Sequence, residues 1–185
     1  DMAGRRARQP FLVRKRDGAW HPIDYRTAAE RTSLLARALV AEGIRPGDRV
    51  VLVAENRPEW VIADFAIMAA GAITVPAYVT HTVADLVHVL ANSGARAAIV
   101  SSRPLLQRLA SAAAQTADLR FLVAIDPPEP QLQSPVPVLG WDDLMARGAE
   151  LPDDVADRVA HIGREDVARG AELPDDVADR VAHIG

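Results

Sequence analysis

The stretch that decides the fold is residues 43–100, which read GIRPGDRVVLVAENRPEWVIADFAIMAAGAITVPAYVTHTVADLVHVLANSGARAAIV. Short apolar runs alternate in it with longer segments of mixed polarity. The unbroken apolar run Val50–Val53 is typical of a strand buried on both faces, as in a parallel sheet. Further strands are predicted at Ile73–Val75 and Ala97–Val100. Strands that alternate with helices over short connections indicate βαβ units.

Start and stop signals predict the helices between these strands. Asn56 and Pro58 mark one helix start, with Asn56 as the capping residue and proline in the first turn. Gly71 is predicted to end that helix, because glycine adopts the left-handed backbone that follows many helices. Thr82 and Asp85 have the spacing of a capping box and predict the start of the next helix.

The alternation continues outside this stretch. Apolar residues three and four positions apart predict a helix over residues 25–42. Another helix is predicted from Ser101 or Ser102 to Gln115, followed by a strand over residues 120–125. We therefore predict an α/β fold, a mostly parallel doubly wound sheet with helices on both faces, preceded by a small β-hairpin.

Three regions are predicted along the chain. Residues 1–24 form an N-terminal arm and the hairpin, because Asp17-Gly18 is a favoured hairpin turn. Residues 25–145 form the α/β subdomain, and residues 146–185 form a helical tail. A proline-rich loop after residue 126 and a short helix over residues 141–147 connect the last two regions.

The tail contains a letter-for-letter repeat. Residues 146–163 and residues 168–185 both read ARGAELPDDVADRVAHIG. Repeats that build a solenoid diverge at surface positions and need more than two copies, so a recent duplication or a cloning scar explains this one better. Each copy predicts a helix, Leu151–Ala160 and Leu173–Ala182, since proline and paired aspartates suit a helix start.

Composition excludes several classes of protein. The chain has 185 residues, 49% of them hydrophobic and 25% charged, which is ordinary for a globular protein. A net charge of −4 gives no global field that would attract nucleic acid. The absence of cysteine excludes disulfides and thiolate metal sites. Because neither a membrane-spanning apolar run nor a secretory signal is visible, a cytoplasmic location is expected.

The sequence also carries a family resemblance. It depends on the strings Asn56-Arg57-Pro58-Glu59-Trp60, Ala70-Gly71-Ala72, Val75-Pro76-Ala77-Tyr78 and Thr80. These strings resemble the N-terminal subdomain of the adenylate-forming, or AMP-binding, superfamily, and most of all long-chain fatty-acyl-CoA synthetases. The resemblance extends over about residues 11–168.

The resemblance implies a reaction in which fatty acid, ATP and CoA give acyl-CoA, AMP and pyrophosphate, with Mg²⁺ as the metal ion. The family's phosphate loop should follow Ala168, but the second copy of the repeat stands there instead. We therefore expect an N-terminal fragment of an ATP-dependent acid–thiol ligase, inactive alone, with no catalytic residue and no cofactor of its own. Whether the chain is itself an enzyme stays uncertain at this point.

Seven positions within these strings are candidates for a pocket wall, although structural roles are favoured for most of them. They are Asn56, Glu59, Trp60, Gly71, Pro76, Tyr78 and Thr80. Glu59 suits the positive end of a helix, and Trp60 is expected to be a packing anchor. Pro76, Tyr78 and Thr80 follow a strand, which is where open α/β sheets bind ligands.

No metal site is expected. Asp85 and His88 have a helical spacing that would let them share an ion, but no third ligand is evident near them. His161 and His183 are copies of one residue in the repeat and do not define a site.

Two other interpretations stay open at the level of sequence. The chain could be a non-catalytic acyl- or nucleotide-binding module, or a structural remnant of a truncated gene that acts through interactions. Its expected partner is the missing remainder of a ligase or another copy of itself, joined through exposed apolar surface. A peripheral position on a membrane is left open for the parent enzyme.

Overall fold

The structure is a computed structural model that describes residues 2–160. It contains a two-stranded antiparallel hairpin and a five-stranded parallel sheet. The hairpin strands are β1 (Pro10–Arg16) and β2 (Ala19–Asp24), and they follow the short helix α1 (Met2–Arg5). The sheet strands are β3 (Arg49–Val53), β4 (Ile73–Pro76), β5 (Ala97–Val100), β6 (Phe121–Ala124) and β7 (Val138–Gly140). The remaining helices are α2 (Tyr25–Ala41), α3 (Pro58–Ala69), α4 (Val83–Ser93), α5 (Arg103–Ala113) and α6 (Trp141–Glu150).

The strand order of the large sheet is β4-β3-β5-β6-β7, and all neighbours are parallel. Counted from β3, this is the doubly wound order 2-1-3-4-5, so the chain reverses its direction of travel between β3 and β5. The α/β class, the parallel sheet and the N-terminal hairpin predicted from the sequence are confirmed.

Both faces of the sheet are covered, which explains why its strands are continuously apolar. Along β3, Val50 and Leu52 point into one core with α2, α3 and α6, whereas Val51 and Val53 point into a second core with α4 and α5. All four of these residues are buried. A side-chain period of two on a doubly covered sheet therefore needs an apolar residue at every position.

The predicted capping residues are only partly confirmed. Thr82 and Asp85 form the capping box at the start of α4. Asn56 does not cap α3, because Arg57 occupies the N-cap position, and within residues 2–160 no side-chain hydrogen bond caps that end. Pro58 at the first helical position removes one of the N–H groups that a cap would satisfy, so the need for one is smaller. Gly71 has a φ of 80° just after α3, which confirms it as a helix stop.

The sequence did not predict β7. This three-residue strand pairs with β6 directly after the proline-rich segment that was interpreted as a loop. Prolines remove ladder donors, so they hide a short edge strand from pattern analysis. The short helix predicted after it is confirmed as α6, which runs on to Glu150.

The first copy of the repeat begins inside α6, since residues 146–150 are its last five residues. The predicted boundary at residue 146 therefore falls within a helix, and the three-region division stays a prediction. The tail helix predicted from Leu151 starts later, with helical backbone at residues 155–160. The helix predicted over Leu173–Ala182 lies outside the described residues.

Candidate functional site

Three polar side chains meet where β3 and β5 end, at the point where the strand order reverses. The hydroxyl of Ser101, which is buried, donates a hydrogen bond to the Glu55 carboxylate. The hydroxyl of Ser102 donates to the other carboxylate oxygen at 3.3 Å. Neither serine therefore caps α5, although Ser102 occupies its N-cap position. Crevices at such reversal points are the usual ligand sites of open α/β sheets.

The pKa of Glu55 reports this environment. Burial by itself would raise the pKa of Glu55, but the Ser101 hydroxyl, the Ser102 hydroxyl and the nearby Arg57 charge stabilise its ionised form. Together they hold the pKa below its ordinary value. Glu55 is therefore an anionic, oriented hydrogen-bond acceptor at the carboxyl edge of the sheet.

Arg57 links three separate parts of the chain beside this site. Its Nε donates to Glu59 Oε2 at 2.9 Å, and its Nη1 donates to Asp126 Oδ1 at 2.9 Å. Arg14 of the hairpin donates to the other oxygen of Glu59 at 3.0 Å. The hairpin, the start of α3 and the loop after β6 are thus connected by one chain of ion pairs.

The ion pairs lie partly out of water. The Arg57 and Glu59 side chains are only 15% and 16% exposed. Burial alone would raise the pKa of Glu59, but the Arg57 hydrogen bond and the charges of Arg57 and Arg14 lower it overall. The hydrogen bond to Glu59 raises the pKa of Arg57 further, so the pair is fully ionised near neutral pH.

A cavity of about 590 Å³ opens at the ends of β3 and β4. Its lining consists of Ala54, Glu55, Asn56, Trp60, Pro76, Ala77, Tyr78 and Val79. Trp60 also lines a second cavity of about 310 Å³, between the hairpin and α3. Tyr78 is 76% exposed at the rim of the larger cavity. Two aromatic rings, an amide and a carboxylate therefore face one opening, which suits binding of a ligand with apolar and polar parts.

The structure brings together four of the seven predicted site residues. Asn56, Trp60, Pro76 and Tyr78 line the larger cavity. Glu59 takes part in the ion pairs beside it. Gly71 lies just before the amino end of β4, away from the carboxyl ends where the cavity opens, and its carbonyl accepts a hydrogen bond from the Gly47 N–H.

Thr80 is exposed in the turn before α4 and is not among the residues that line the cavity. Glu55, Arg57 and Ser101 were missed as site residues. The only signal for them was their position after two predicted strands, because their contacts join residues far apart in sequence.

The described side chains at the site supply hydrogen-bonding and apolar groups. Among residues 2–160, no three His, Cys, Asp or Glu side chains are placed to hold a metal ion. Asp85 is engaged with Thr82 in the capping box, and the His81 ring lies edge-on to Tyr78 with centroids 5.4 Å apart. Within the same residues, no helix combines the length and apolarity needed to cross a membrane.

Comparison with known proteins identifies the class. A family model described as AMP-binding enzyme matches residues 1–178, and the chain belongs to that family. Over 79 residues the chain is 42% identical to the long-chain-fatty-acid–CoA ligase FadD15 of Mycobacterium tuberculosis, which covers 43% of this chain and 13% of that ligase.

Solved structures agree in fold. An anthranilate CoA ligase, AuaEII, in complex with anthranoyl-AMP matches with a TM-score of 0.69 and 24% identity, over 79% of this chain and 26% of that chain. A benzoate CoA ligase from Burkholderia xenovorans LB400 matches with a TM-score of 0.61 and 26% identity, over 78% and 26% of the two chains. The chain thus spans about a quarter of the length of these structures and less of the fatty-acid ligase.

Acidification is expected to destabilise the fold through Glu55 and Glu59. Because folding lowers both pKa values, the folded state binds fewer protons than the unfolded chain, whose glutamates titrate at about 4.3. Their stabilisation is therefore complete above that pH and is lost as the pH falls through the folded pKa values. Urea unfolding measured from about pH 7 down to pH 3 gives the slope of the free energy of unfolding against pH.

Glu59→Gln should flatten this slope, whereas Glu30→Gln, at an exposed position of α2, should leave it unchanged. Equal slopes in the parent chain and Glu59→Gln would contradict the assignment.

Proposed function

We propose that this chain forms the N-terminal subdomain of an ATP-dependent acyl-CoA ligase, which converts fatty acid, ATP and CoA into acyl-CoA, AMP and pyrophosphate. The observation that carries the proposal is the cavity at the carboxyl ends of β3 and β4, on the same side of the sheet as the strand-order reversal, in an AMP-binding family fold. The family strings from Asn56 to Trp60 and from Val75 to Tyr78 meet at that cavity. Ligands of open α/β sheets bind at this edge.

In this proposal the chain supplies one wall of the ligand site. Trp60 and Tyr78 offer apolar faces, and Asn56 and Glu55 offer polar atoms at one side of the opening. ATP, Mg²⁺ and CoA would be held once other parts of a ligase complete the site, and none is bound by this chain alone. ATP would supply the phosphoryl chemistry that activates the carboxylate, with Mg²⁺ neutralising phosphate charge.

The same proposal includes three further points. They are the division into residues 1–24, 25–145 and 146–185, a cytoplasmic location, and a role for exposed apolar side chains in association. Phe65, Met68 and Ile73 are each more than 40% exposed, which supports a contact with another subdomain or another copy.

A chimaera tests the proposal. Residues 25–145 replace the corresponding stretch of the mycobacterial fatty-acid ligase, and formation of long-chain acyl-CoA is measured. We expect a rate within about tenfold of the parent ligase, a change of about 1.4 kcal/mol in activation free energy. In the active chimaera, Tyr78→Ala should raise KM for one substrate about tenfold through loss of an aromatic contact.

Glu30→Ala is the control, because this exposed residue of α2 does not line the cavity. A folded chimaera without activity would count against the proposal. If a fatty acid nevertheless raised the melting temperature of the 185-residue chain, the non-catalytic binding module would be favoured instead.

A further inference from the structure

The first copy of the repeat is bound along α2 through specific contacts. Arg147 forms an ion pair with Glu42. Arg37 Nη1 donates to the Leu151 carbonyl oxygen at 2.5 Å, and the Ser33 hydroxyl donates to Asp153 Oδ1 at 3.0 Å. We call the α2 surface formed by Ser33, Leu34, Arg37 and Glu42 the α2 dock.

Gly148 lies close to the backbone of α2 at the α2 dock. A Cβ atom at Gly148 would lie 2.1 Å from the carbonyl oxygen of Leu34. Because that obstacle is backbone, a side chain cannot be accommodated without moving α6 away from α2. The dock therefore selects a segment with glycine at this position.

The docked segment continues towards an apolar cavity of about 490 Å³ beside α2. Val155 and Val159 line it from the segment, facing Phe11, Tyr25 and Phe65 among other residues. Val155 also packs against the core that contains α2 and α3. Apolar burial thus adds to the polar contacts.

Every docking residue lies inside the repeat. Arg147, Gly148, Leu151, Asp153 and Val155 recur twenty-two positions later as Arg169, Gly170, Leu173, Asp175 and Val177. We propose that the α2 dock is an interaction surface with two alternative occupants in the same chain, the first copy of the repeat and the second. Since the two copies are identical, whatever the dock recognises in one is present in the other.

The residues that precede each copy decide which one prevails. Trp141 and Leu144, both buried, anchor α6 ahead of the first copy. The equivalent positions ahead of the second copy are Gly163 and Asp166, which supply no such anchor. The first copy is therefore the major occupant. Replacing the first copy by the second lengthens the chain that connects α2 to the docked segment by 22 residues. Because loop-closure entropy grows only slowly with length, the added entropic cost is small.

A double-mutant cycle on the two glycines tests the exchange. Gly148→Ala blocks the first copy, and the intact Gly170 then lets the second copy bind. Gly170→Ala alone should leave the melting temperature unchanged. The double variant should melt at least about 4 °C below Gly148→Ala, because neither copy can then dock. A double variant with the same melting temperature as Gly148→Ala would overturn the proposal.

Crosslinking gives a direct readout that does not depend on stability. The chain has no cysteine, so pairs can be introduced without background. Ser33→Cys is combined with Asp153→Cys or Asp175→Cys, and neighbouring Asp154→Cys or Asp176→Cys are the matched controls.

We expect the 33–153 crosslink to be the major product and the 33–175 crosslink the minor one. Adding Gly148→Ala should increase the ratio of the 33–175 to the 33–153 product at least about tenfold. Equal yields at positions 175 and 176 would show only tethering and would overturn the proposal, as would a 33–175 crosslink found only between two chains.

Discussion

The 185-residue chain is expected to exchange no pyrophosphate into ATP in the presence of Mg²⁺ and a long-chain fatty acid. The sequence contains neither the phosphate loop expected from the family resemblance nor a Gly-x-x-x-x-Gly-Lys string, and its one lysine, Lys15, is exposed in the hairpin. Without preorganised donors and a cation at the phosphates, the charge of the transition state stays unstabilised. The rate should lie more than about 10³-fold below that of the mycobacterial fatty-acid ligase assayed in parallel.

The control for this experiment is the chimaera that carries residues 25–145 in the complete ligase. Activity in the chimaera, together with no exchange by the chain alone, would show that the subdomain is competent and that the rest of the ligase supplies the phosphate-binding groups. Exchange that follows the purified chain through successive columns, and that responds to Tyr78→Ala, would contradict the expectation.

Arg57→Ala is expected to cause the largest loss of stability among substitutions at the carboxyl edge. It removes two hydrogen bonds to carboxylates and leaves Glu59, only 16% exposed, next to Arg14 alone. Loss of a charge partner from a partly buried pair costs about 2–3 kcal/mol, below the cost for a fully buried one. Chemical denaturation should show this decrease in the free energy of unfolding at neutral pH.

Two further variants test whether geometry or charge matters. Arg57→Lys keeps the charge but cannot direct donors to Glu59 and Asp126 at once, so it should recover less than half of the loss. Arg103→Ala removes an exposed arginine that, among the described residues, donates to the Pro127 carbonyl alone, and it should cost well under about 1 kcal/mol. Similar losses for Arg57→Ala and Arg103→Ala would refute the special role of Arg57.

Much of the architecture could be predicted because local signals agree with the tertiary structure. The run Val50–Val53 is apolar at every position, and the structure buries it on both faces. Thr82 and Asp85 carry a capping box within four residues, so its contacts are local and readable. Gly71 follows α3 with the positive φ that glycine tolerates.

The site was less predictable because its contacts are not local. The Glu55–Ser101 and Arg57–Asp126 hydrogen bonds join residues 46 and 69 positions apart. Periodicity cannot show which loops meet at the carboxyl edge until the strand order is known. Asn56 illustrates the same limit at short range, because a capping residue type next to proline predicts a cap that the structure does not use.

The two outermost strands of the parallel sheet are poorly suited to pairing with a further strand. Within residues 2–160, β4 and β7 each pair with one neighbour only. Both are short, β4 ends on Pro76, and Pro137 stands immediately before β7. Short edges flanked by proline offer few free backbone donors to an incoming strand, which protects against edge-to-edge aggregation. A neighbouring subdomain would therefore have to approach through helices or loops, not by lengthening the sheet.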